Sequence, residues 1–258
     1  MWAAGTTFFR VCEEALRDGV RGGLRIGCII PAFNEEKAIG LVLAALPAWV
    51  DCVVVADNGS TDRTGIIAQT FGATVVRVDE RGYGAACLGG LGVLPRVDVI
   101  VFLDGDFSDY PEQMHMLVDP IVAGRANMVI GSRVKGEAER GALTPQQRFG
   151  NWLATKLIWW IWSVSYTDLG PFRAIDSDAL QRLGMTDRTF GWTVEMQIKA
   201  AQHGLAVMER PVRYRRRIGV SKISGTLQGT VRAGVRILTW ILREAMSGER
   251  RMPDKPSR

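Results

Sequence analysis

The amino-acid sequence predicts a single α/β domain whose mostly parallel sheet is flanked by helices. Two observations predict this class. Short apolar runs rich in Val and Ile alternate with segments of helical periodicity through the first half of the chain, which is typical of βαβ units. The chain has 258 residues, of which 47% are hydrophobic and 23% are charged. It is therefore long enough to bury a substantial core, and its composition is globular.

Five segments are predicted to be strands, because they are rich in β-branched residues and too short for helices: residues 26–30, 52–56, 74–78, 97–103 and 128–130. Between them, helical periodicity predicts helices over residues 35–46, 62–71, 84–94 and 111–123. Ser60 or Thr61 is a candidate cap for the second of these helices, and Pro111 suits the first turn of the fourth.

The pattern changes in the second half of the chain. A tryptophan-rich helix begins near Gln146, a second helix covers residues 193–203, and a short strand lies near Val207. We expect four regions: an amphipathic segment over residues 1–23, the main domain over 24–222, an amphipathic C-terminal helix over 223–246, and a disordered polar tail over 247–258.

Polar or glycine-rich residues follow four of the predicted strands, at the point where each strand ends. These segments are residues 31–35, 57–62, 79–84 and 104–106. Ligands of open parallel sheets bind beyond the carboxyl ends of the strands, which meet at one edge. The sequence therefore predicts a dense polar site at that edge of the sheet.

The segment Asp104-Gly105-Asp106 directly follows an apolar run and is the candidate metal site. Two carboxylates one residue apart can bind Mg²⁺ or Mn²⁺, which prefer oxygen ligands and keep coordination positions open for substrate. The alternative is an acidic turn with Gly105 at its bend. We favour the metal site, because the segment is in register with three other polar strand ends.

The segment Asp57-Asn58-Gly59-Ser60 has two interpretations that the residues alone leave open. It is either a turn that leads into a helix, since these residue types favour turns, or a site that recognises a base or ribose. In the second interpretation the carboxylate of Asp57 accepts a hydrogen bond from an N–H group of uracil or guanine.

Together, segments 31–35, 57–62 and 104–106 resemble the inverting family-2 glycosyltransferases, which have the Rossmann-like GT-A fold. The likeness covers about residues 24–222. Within that family, the chain most resembles the polyprenyl-phosphate (dolichyl-phosphate) mannose and glucose synthases. This closer likeness depends on Gly131-Ser132-Arg133 and on segments 168–173 and 217–222.

The resemblance implies roles for residues at matching positions. The donor, a UDP- or GDP-sugar, would contact Pro31, Ala32, Asn34, Glu35, Asp57, Gly84 and Asp104. Mg²⁺ or Mn²⁺ would be bound by Asp104 and Asp106. Donor or acceptor phosphates would contact Arg133, Arg173, Arg217, Ser221 and Lys222. One position departs from the pattern: Ser108, followed by Asp109, stands where such mannose synthases commonly have a glutamine ligand, so water or Asp109 would complete the metal shell.

The acceptor decides whether the enzyme needs a base. An acceptor hydroxyl is a poor nucleophile and needs one, for which Glu195 and Asp168 are the candidates, although Glu195 also fits a solvated helix face. A phosphate monoester is already largely ionised at neutral pH. We expect a polyprenyl phosphate acceptor, with two alternatives: a hydroxyl of a lipid or soluble acceptor, or a nucleotide-sugar-binding protein without turnover.

Three features bear on partners of the chain. Arg213, Arg215 and Arg217 share one face at strand spacing, with Arg216 on the other, and the segment lacks the stacking aromatics that would favour nucleic acid. The tryptophan-rich helix belongs either to the core or to a lipid-facing groove. The C-terminal helix has apolar and basic faces, formed by Leu227, Val231, Leu238 and Leu242 and by Arg232, Arg236 and Arg243.

The location expected from sequence is cytoplasmic and peripheral to the inner face of the cell membrane. The net charge is +5, and the N-terminal segment carries acidic residues that a secretory signal would lack. No segment of the sequence reaches the ~20 apolar residues needed to span a bilayer. The four cysteines form no CxxC pair, and we expect them to be reduced thiols. The oligomeric state is not predicted.

Overall fold

The computed structural model describes residues 21–219 and 227–246. Seven strands form one sheet in the order β3-β2-β1-β4-β6-β5-β7. All neighbouring pairs are parallel except the two that involve β6, which runs antiparallel to β4 and β5. The strands are β1 (Ile26–Ala32), β2 (Cys52–Asp57), β3 (Thr74–Arg77), β4 (Val99–Phe102), β5 (Met128–Ser132), β6 (Arg173–Asp176) and β7 (Val207–Pro211).

Helices cover both faces of this sheet. Those described are α1 (Ile39–Ala44), α2 (Thr64–Thr70), α3 (Tyr83–Val93), α4 (His115–Val122), α5 (Pro145–Trp162), α6 (Ser177–Leu183), α7 (Trp192–Gln202) and α8 (Leu227–Met246), with a 3₁₀ turn over Pro111–Met114 before α4. The predicted α/β class is confirmed, and each predicted strand and helix of the first half is found within a few residues of its expected bounds. Helix α2 begins at Thr64, after Ser60 and Thr61, so neither residue caps it.

The sheet separates two hydrophobic cores. Ile29 of β1 lies in one core and Ile30 in the other, because successive strand residues point to opposite faces. The first core contains buried residues of α3, α5, α6, α7 and α8, and the second contains those of α1, α2 and α4. Strand β1 is buried along its whole length, as expected for a strand covered on both sides.

Strand β6 and helix α6 were not predicted from the sequence. β6 has only four residues and begins with Arg173, so it lacks the apolar run by which buried strands are recognised. The basic segment after β7 also differs from expectation, because the regular strand ends at Pro211 and Tyr214 then makes only isolated bridges to Asp109 and Ala138.

Helix α5 is both core and surface. It begins with a capping box, in which the Thr144 hydroxyl accepts a hydrogen bond from the Gln147 amide and the Gln147 side chain accepts one from the Thr144 amide. Trp162 is buried with the inward residues of the helix, whereas Trp159 and Trp160 are exposed. Neither sequence interpretation of this helix therefore holds for the whole of it.

Some expectations fall outside the described residues. These are the segment 1–20, Ser221 and Lys222, the tail 247–258, and the side chains of Leu227, Val231, Arg232 and Arg236. Within the described part, no helix has the length and hydropathy of a membrane span. The three cysteines in that part, Cys28, Cys52 and Cys87, are free thiols, as predicted.

Candidate active site

A cavity of about 320 Å³ opens at the carboxyl edge of the sheet. The ends of β1, β2 and β4 meet there, because β1 pairs in parallel register with both of the other strands. Six of the predicted site residues line the cavity: Pro31, Ala32, Glu35, Asp104, Asp106 and Arg217. The rule that polar strand ends converge therefore locates the centre of this site.

Asp106 is fixed in place by its neighbours. Its Oδ1 accepts hydrogen bonds from the Ser108 amide at 2.9 Å and from the Ser108 hydroxyl at 2.6 Å, and its Oδ2 lies 3.3 Å from Arg217 Nη2. Ser108, the residue that departs from the family pattern, thus orients a carboxylate. Such fixation reduces the conformational entropy that the Asp106 side chain would lose on binding a ligand.

Asp104 is available for a ligand. Its Oδ1 is buried and accepts no hydrogen bond from the described residues. Burial, followed by the negative charge of Asp106, raises the pKa of Asp104 to about 7. A buried carboxylate oxygen without a donor is costly unless a cation or proton compensates it, so this environment suits a bound cation.

The charges of the cavity also suit a divalent ion. Its lining carries the carboxylates of three residues and the guanidinium groups of two: Glu35, Asp104, Asp106, Arg81 and Arg217. A nucleoside diphosphate would add negative charge to this lining, and Mg²⁺ or Mn²⁺ between the phosphates and the aspartates would offset it. Asp104 and Asp106 thus fit the predicted metal pair.

Asp109 is not assigned to the metal shell. It is buried, and its pKa is raised well above the usual range by that burial and by the charges of Asp104 and Asp106. Yet no three His, Cys, Asp or Glu side chains in residues 21–219 and 227–246 are arranged to hold a metal ion. The two aspartates would share an ion with substrate oxygens and water.

Arg217 brings the basic segment into the cavity. Its Nη2 lies 2.9 Å from Glu35 Oε1 and 3.3 Å from Asp106 Oδ2. Arg215 stacks on Phe107, whereas Arg216 points away and donates to the carbonyl of Arg140. The predicted division of this segment into two faces is confirmed, although the segment is not a regular strand.

The other end of the cavity is built around Asn58 and Arg81. Arg81 lies 3.8 Å above the ring of Phe33 and donates to the Asn58 carbonyl at 2.9 Å. The Asn58 side chain in turn bonds the backbone of three residues after β3: Val78, Glu80 and Gly82. This end of the cavity therefore has a preorganised wall made of a guanidinium plane, a phenyl ring and backbone groups.

Two residues that were predicted to contact the nucleotide-sugar, Asp57 and Asn34, make hydrogen bonds within and between the loops after β1 and β2. Asp57 is buried and does not line the cavity, and its Oδ1 accepts a hydrogen bond from the Ser60 amide at 2.8 Å, which stabilises a turn. Its predicted base contact stays a prediction. Asn34 adopts a left-handed conformation with φ of 54° and accepts a hydrogen bond from the Thr61 amide. The bond between Thr61 and Asn34 joins the segments after β1 and β2.

Gly84 is also a packing residue and does not line the cavity. A Cβ atom on Gly84 would lie 2.0 Å from the Asp187 carbonyl oxygen, and one on Gly82 would lie 2.0 Å from that of Arg188. The amide of Gly84 donates to the Thr189 carbonyl at 2.9 Å. Only glycine permits this approach, which brings Phe190 into the lining of the cavity.

A model of the family described as glycosyl transferase family 2 matches residues 28–184 of the chain. The chain belongs to glycosyl transferase family 2. It is 34% identical over 215 residues to an uncharacterized glycosyltransferase of Mycobacterium tuberculosis, covering 81% of this chain and 94% of that one. It is 30% identical over 256 residues to an undecaprenyl-phosphate mannosyltransferase of Micrococcus luteus, covering 88% and 98%.

Solved structures agree with the GT-A fold. A glucosyl-3-phosphoglycerate synthase of Mycobacterium tuberculosis, crystallised with Mn²⁺, UDP and glucosyl-3-phosphoglycerate, superposes with a TM-score of 0.67 at 22% identity, covering 99% of this chain and 88% of that one. At this identity the likeness supports the fold alone. The predicted family and GT-A architecture of this glycosyltransferase are thus confirmed.

Glu195 of this glycosyltransferase supports a loop. Its carboxylate is buried and accepts hydrogen bonds from the Thr186 amide, the Thr186 hydroxyl and the Asp187 amide, each at 2.7 or 2.8 Å. Lys199 Nζ lies 2.8 Å from the same carboxylate. Glu195 does not line the cavity, so its contacts in the described structure are those of a loop support, and its predicted role as general base stays a prediction.

Asp168 and Arg133 form a second buried cluster. Arg133 donates to both carboxylate oxygens of Asp168, at 2.8 Å from Nε and 2.7 Å from Nη2, and its amide donates to Oδ2. Burial alone would lower the pKa of Arg133, but the Asp168 carboxylate more than offsets this and holds that pKa well above its usual value. The pair places a fixed, largely neutralised guanidinium beside the site.

Arg173 has a structural role. It is fully buried and donates to the carbonyls of Thr193, Leu169 and Gly170. Burial lowers the pKa of Arg173 to about 10. Its Nη1 and Nη2 groups hold the loop before β6 against the start of α7, and Arg173 does not line the cavity. Its predicted phosphate contact stays a prediction.

Several lining residues were missed by sequence reasoning: Phe33, Asn58, Arg81, Gly82, Tyr83 and Phe190. Five of them lie within polar strand ends that the sequence did single out, so only their individual roles were missed. Phe190 gave no signal, because it follows no predicted strand and reaches the cavity through the glycine contacts of another segment.

Proposed function

We propose that this chain transfers a hexosyl group, with inversion, from a UDP- or GDP-sugar to a polyprenyl phosphate, with Mg²⁺ or Mn²⁺ as cofactor. The observation that carries the proposal is the pair Asp104 and Asp106 at the strand-end cavity, with Arg217 at 3.3 Å from Asp106. This arrangement suits a nucleoside diphosphate, whose oxygens need positive charge as the sugar leaves.

Each residue of the pair has a distinct part in that chemistry. Asp104 supplies the unpaired carboxylate oxygen, and Asp106 supplies a carboxylate already oriented by Ser108. When bound, a divalent ion neutralises charge that develops on the departing diphosphate. Arg217 adds a positive charge at the same end of the cavity, held there by Glu35.

The acceptor is inferred from the state of the two predicted bases. Glu195 and Asp168 are both buried and engaged by several donors. A hydroxyl acceptor needs a free base, whereas a phosphate monoester carries its own ionised oxygen. The name of the Micrococcus luteus relative, an undecaprenyl-phosphate mannosyltransferase, supports a polyprenyl phosphate here as well.

We place this reaction at the cytoplasmic face of the cell membrane, with the protein bound peripherally. A polyprenyl chain is held in the bilayer, so an enzyme that uses it must reach the lipid surface. On α8, Val235, Leu242 and Met246 are exposed, which gives this helix an apolar outer face in addition to the one packed on the core. Arg243 is exposed on the same helix.

The test is an acceptor-dependent assay of donor consumption. Purified chain is incubated with a panel of UDP- and GDP-hexoses and Mn²⁺ or Mg²⁺, with polyprenyl phosphate, the matching polyprenol, or no acceptor. We expect transfer only with the phosphate and only with metal. Transfer to the polyprenol would replace this proposal by the hydroxyl alternative, and tight donor binding without turnover on any acceptor would support the non-catalytic one.

A further inference from the structure

Helix α5 presents four large aromatic side chains to solvent. Their exposed fractions are 62%, 53%, 54% and 76%, and we call them the aromatic face: Phe149, Trp152, Trp159 and Trp160. The opposite side of the helix buries Ala154, Ile158 and Trp162 in the core. A soluble surface rarely carries such a group, and its clustering on one helix marks an interaction site.

The aromatic face has positive charge within it. Arg148 and Lys156 are exposed on α5, and the helix contains no Asp or Glu. Lys156 Nζ lies 6.0 Å from the ring of Trp159. A long basic side chain among tryptophans can extend toward anionic headgroups while the rings enter the interfacial region, where Trp is favoured.

The position of the aromatic face links it to the buried pair Arg133 and Asp168. Asn151, directly before Trp152, donates from Nδ2 to the Thr167 carbonyl at 2.9 Å and accepts from the Leu169 amide at 2.8 Å. This fixes the loop that carries Asp168, the partner of Arg133. The helix that bears the aromatic face therefore also holds the loop of the Arg133–Asp168 pair in place.

The neighbouring helix extends the same side of the molecule. Helix α8 packs against α5, and both lie on the same face of the sheet. Its exposed residues Val235, Leu242 and Met246 add apolar area there. The inward faces of both helices belong to the protein core, so the pair can lie on a bilayer without crossing it.

We infer that the aromatic face of α5 is the surface by which this protein binds an anionic lipid bilayer. The inference rests on the proposed function in one respect: bilayer binding would bring the active site to a lipid acceptor. The binding surface itself is inferred from the residues of α5. The tryptophans supply interfacial partition, and Arg148 and Lys156 supply complementarity to negative headgroups. A protein partner would be favoured by polar groups at the rim of the patch, whereas the charges here are of one sign.

The test uses vesicles of phosphatidylcholine with or without about 30 mol% phosphatidylglycerol, which gives the surface a negative potential. The full chain is compared with Trp159→Gln/Trp160→Gln, with Lys156→Gln, and with the control Ile66→Gln/Phe71→Gln. The control residues are also exposed apolar side chains, but they lie on and beside α2, on the opposite face of the sheet. Measurements are cosedimentation, and tryptophan quenching by brominated lipid.

We expect the double tryptophan variant to lose at least about tenfold in vesicle affinity, Lys156→Gln to lose about fivefold on anionic vesicles alone, and the control to bind like the intact chain. Equal binding of the tryptophan variant and the intact chain would overturn the inference. So would an intact chain that shows no quenching, or one whose aromatic face only mediates self-association in sedimentation velocity.

Turnover on a short, water-soluble polyprenyl phosphate separates this inference from the proposed function. The tryptophan variant should keep that turnover and lose transfer to acceptor embedded in vesicles. An intact chain that binds vesicles through the aromatic face but transfers to neither acceptor would refute the proposed function and leave the membrane surface established. Loss of both activities with a lowered Tm is resolved by Trp160→Gln alone, whose side chain is the most exposed of the four. This single variant should fold normally and still lose several-fold in vesicle affinity, and normal binding would again overturn the inference.

Discussion

Trp240 of α8 donates its indole N–H to the buried carboxylate of Asp187 at 2.5 Å. That carboxylate also accepts hydrogen bonds from the amides of Thr189 and Gly191, so it organises the loop that carries Phe190 into the cavity. A Cβ on Gly191 would lie 2.5 Å from the Trp240 ring, which leaves no room for a larger residue there. The C-terminal helix is thus fastened to the wall of the active site.

Replacing Trp240 with Phe should loosen this wall. An aromatic ring remains, but the indole N–H and part of the buried ring volume are lost, so we expect a fall of about 1–3 kcal/mol in the free energy of unfolding and a several-fold rise in the KM for the sugar donor. Denaturant unfolding and initial rates measure the two effects. Trp160→Phe, at an exposed position, is the matched control. An unchanged donor KM in Trp240→Phe would mean that the loop does not depend on this bond.

Asp106→Ala should reduce turnover by at least about 10²–10³-fold and abolish metal-dependent donor binding, while the Tm stays near that of the intact chain. Ser108→Ala removes only the hydroxyl that orients Asp106 and keeps the amide donor, so its loss of turnover should be smaller. Calorimetric titration of Mn²⁺ with UDP or GDP, together with turnover, checks both. Full activity of the intact chain in excess chelator would contradict the assignment of the metal pair.

Metal binding should weaken as the pH falls below about 7, because a proton competes for Asp104, whose pKa is raised to about 7. Below that pH, the apparent Mn²⁺ affinity should fall by up to about tenfold per pH unit. The folded protein holds this proton more tightly than the unfolded chain does. Without metal, the contribution of Asp104 therefore lowers stability as the pH rises from about 4 to 7.

Asp104→Asn is the control for both effects of pH. It should flatten the pH dependence of unfolding between about pH 4 and 7, because the titrating group is gone. It should also weaken Mn²⁺ binding at every pH. A pH profile of stability that is identical in Asp104→Asn and the intact chain would assign the dependence to another carboxyl, with Asp109 the next candidate.

Glu195→Gln should mainly lower stability, whereas Arg217→Ala should mainly lower turnover. Glu195→Gln removes charge-assisted bonds to Thr186 and Asp187, so stability should fall while turnover on polyprenyl phosphate changes by less than about tenfold. Arg217→Ala should reduce turnover by about 30-fold or more. Arg217→Lys should restore part of it. A loss of about 10²–10⁴-fold in folded Glu195→Gln would instead identify a general base.

Donor affinity must be measured in the same Arg217 variants. If donor binding falls as much as turnover, Arg217 acts on the donor diphosphate, and if only turnover at saturating donor falls, it acts on the acceptor or in the transition state. Its ion pair with Asp106 favours the donor side. An equal KM for the sugar donor in Arg217→Ala and in the intact chain would contradict a role of Arg217 in binding the donor diphosphate.

The outer face of α8 can be tested without disturbing its inner face. Removing the whole helix would also remove Trp240 and Ile241, which are buried, so a truncated protein should lose stability as well as membrane binding. Leu242→Gln/Met246→Gln changes exposed residues only. We expect weaker vesicle binding at an unchanged Tm, and a shifted Tm would mean that these side chains pack on the protein.

The sequence predicted the centre of the cavity lining, because the residues there follow strands. Asp104 and Asp106 come directly after β4, and Pro31 and Ala32 lie at the end of β1. Strand register then forces them together without any long-range information. The meeting of Asp104 and Asp106 at this cavity was predictable for the same reason, since both lie within three consecutive residues.

The roles of buried charged residues were not predictable. Glu195, Asp168 and Arg173 have side chains suited to catalysis or phosphate binding, and no local pattern tells whether each faces a cavity or a loop. Asp168 is engaged by Arg133 at a separation of 35 residues, and Arg173 donates to the Thr193 carbonyl at a separation of 20, whereas the partners of Glu195 lie within 9 residues of it. Partners of this kind follow from tertiary packing, which periodicity does not encode.

The amide of Gly131 donates to the Phe172 carbonyl at 2.9 Å, which closes a chain excursion that leaves the sheet after β5 and returns at the antiparallel β6. The residues between these two, which include Arg133, the tryptophans of α5 and Asp168, form one contiguous segment whose ends lie side by side. Donor residues up to Asp106 lie outside it. Because its ends adjoin, the segment 133–172 can be exchanged between relatives as one unit, and such an exchange would test whether acceptor choice and membrane binding follow this segment.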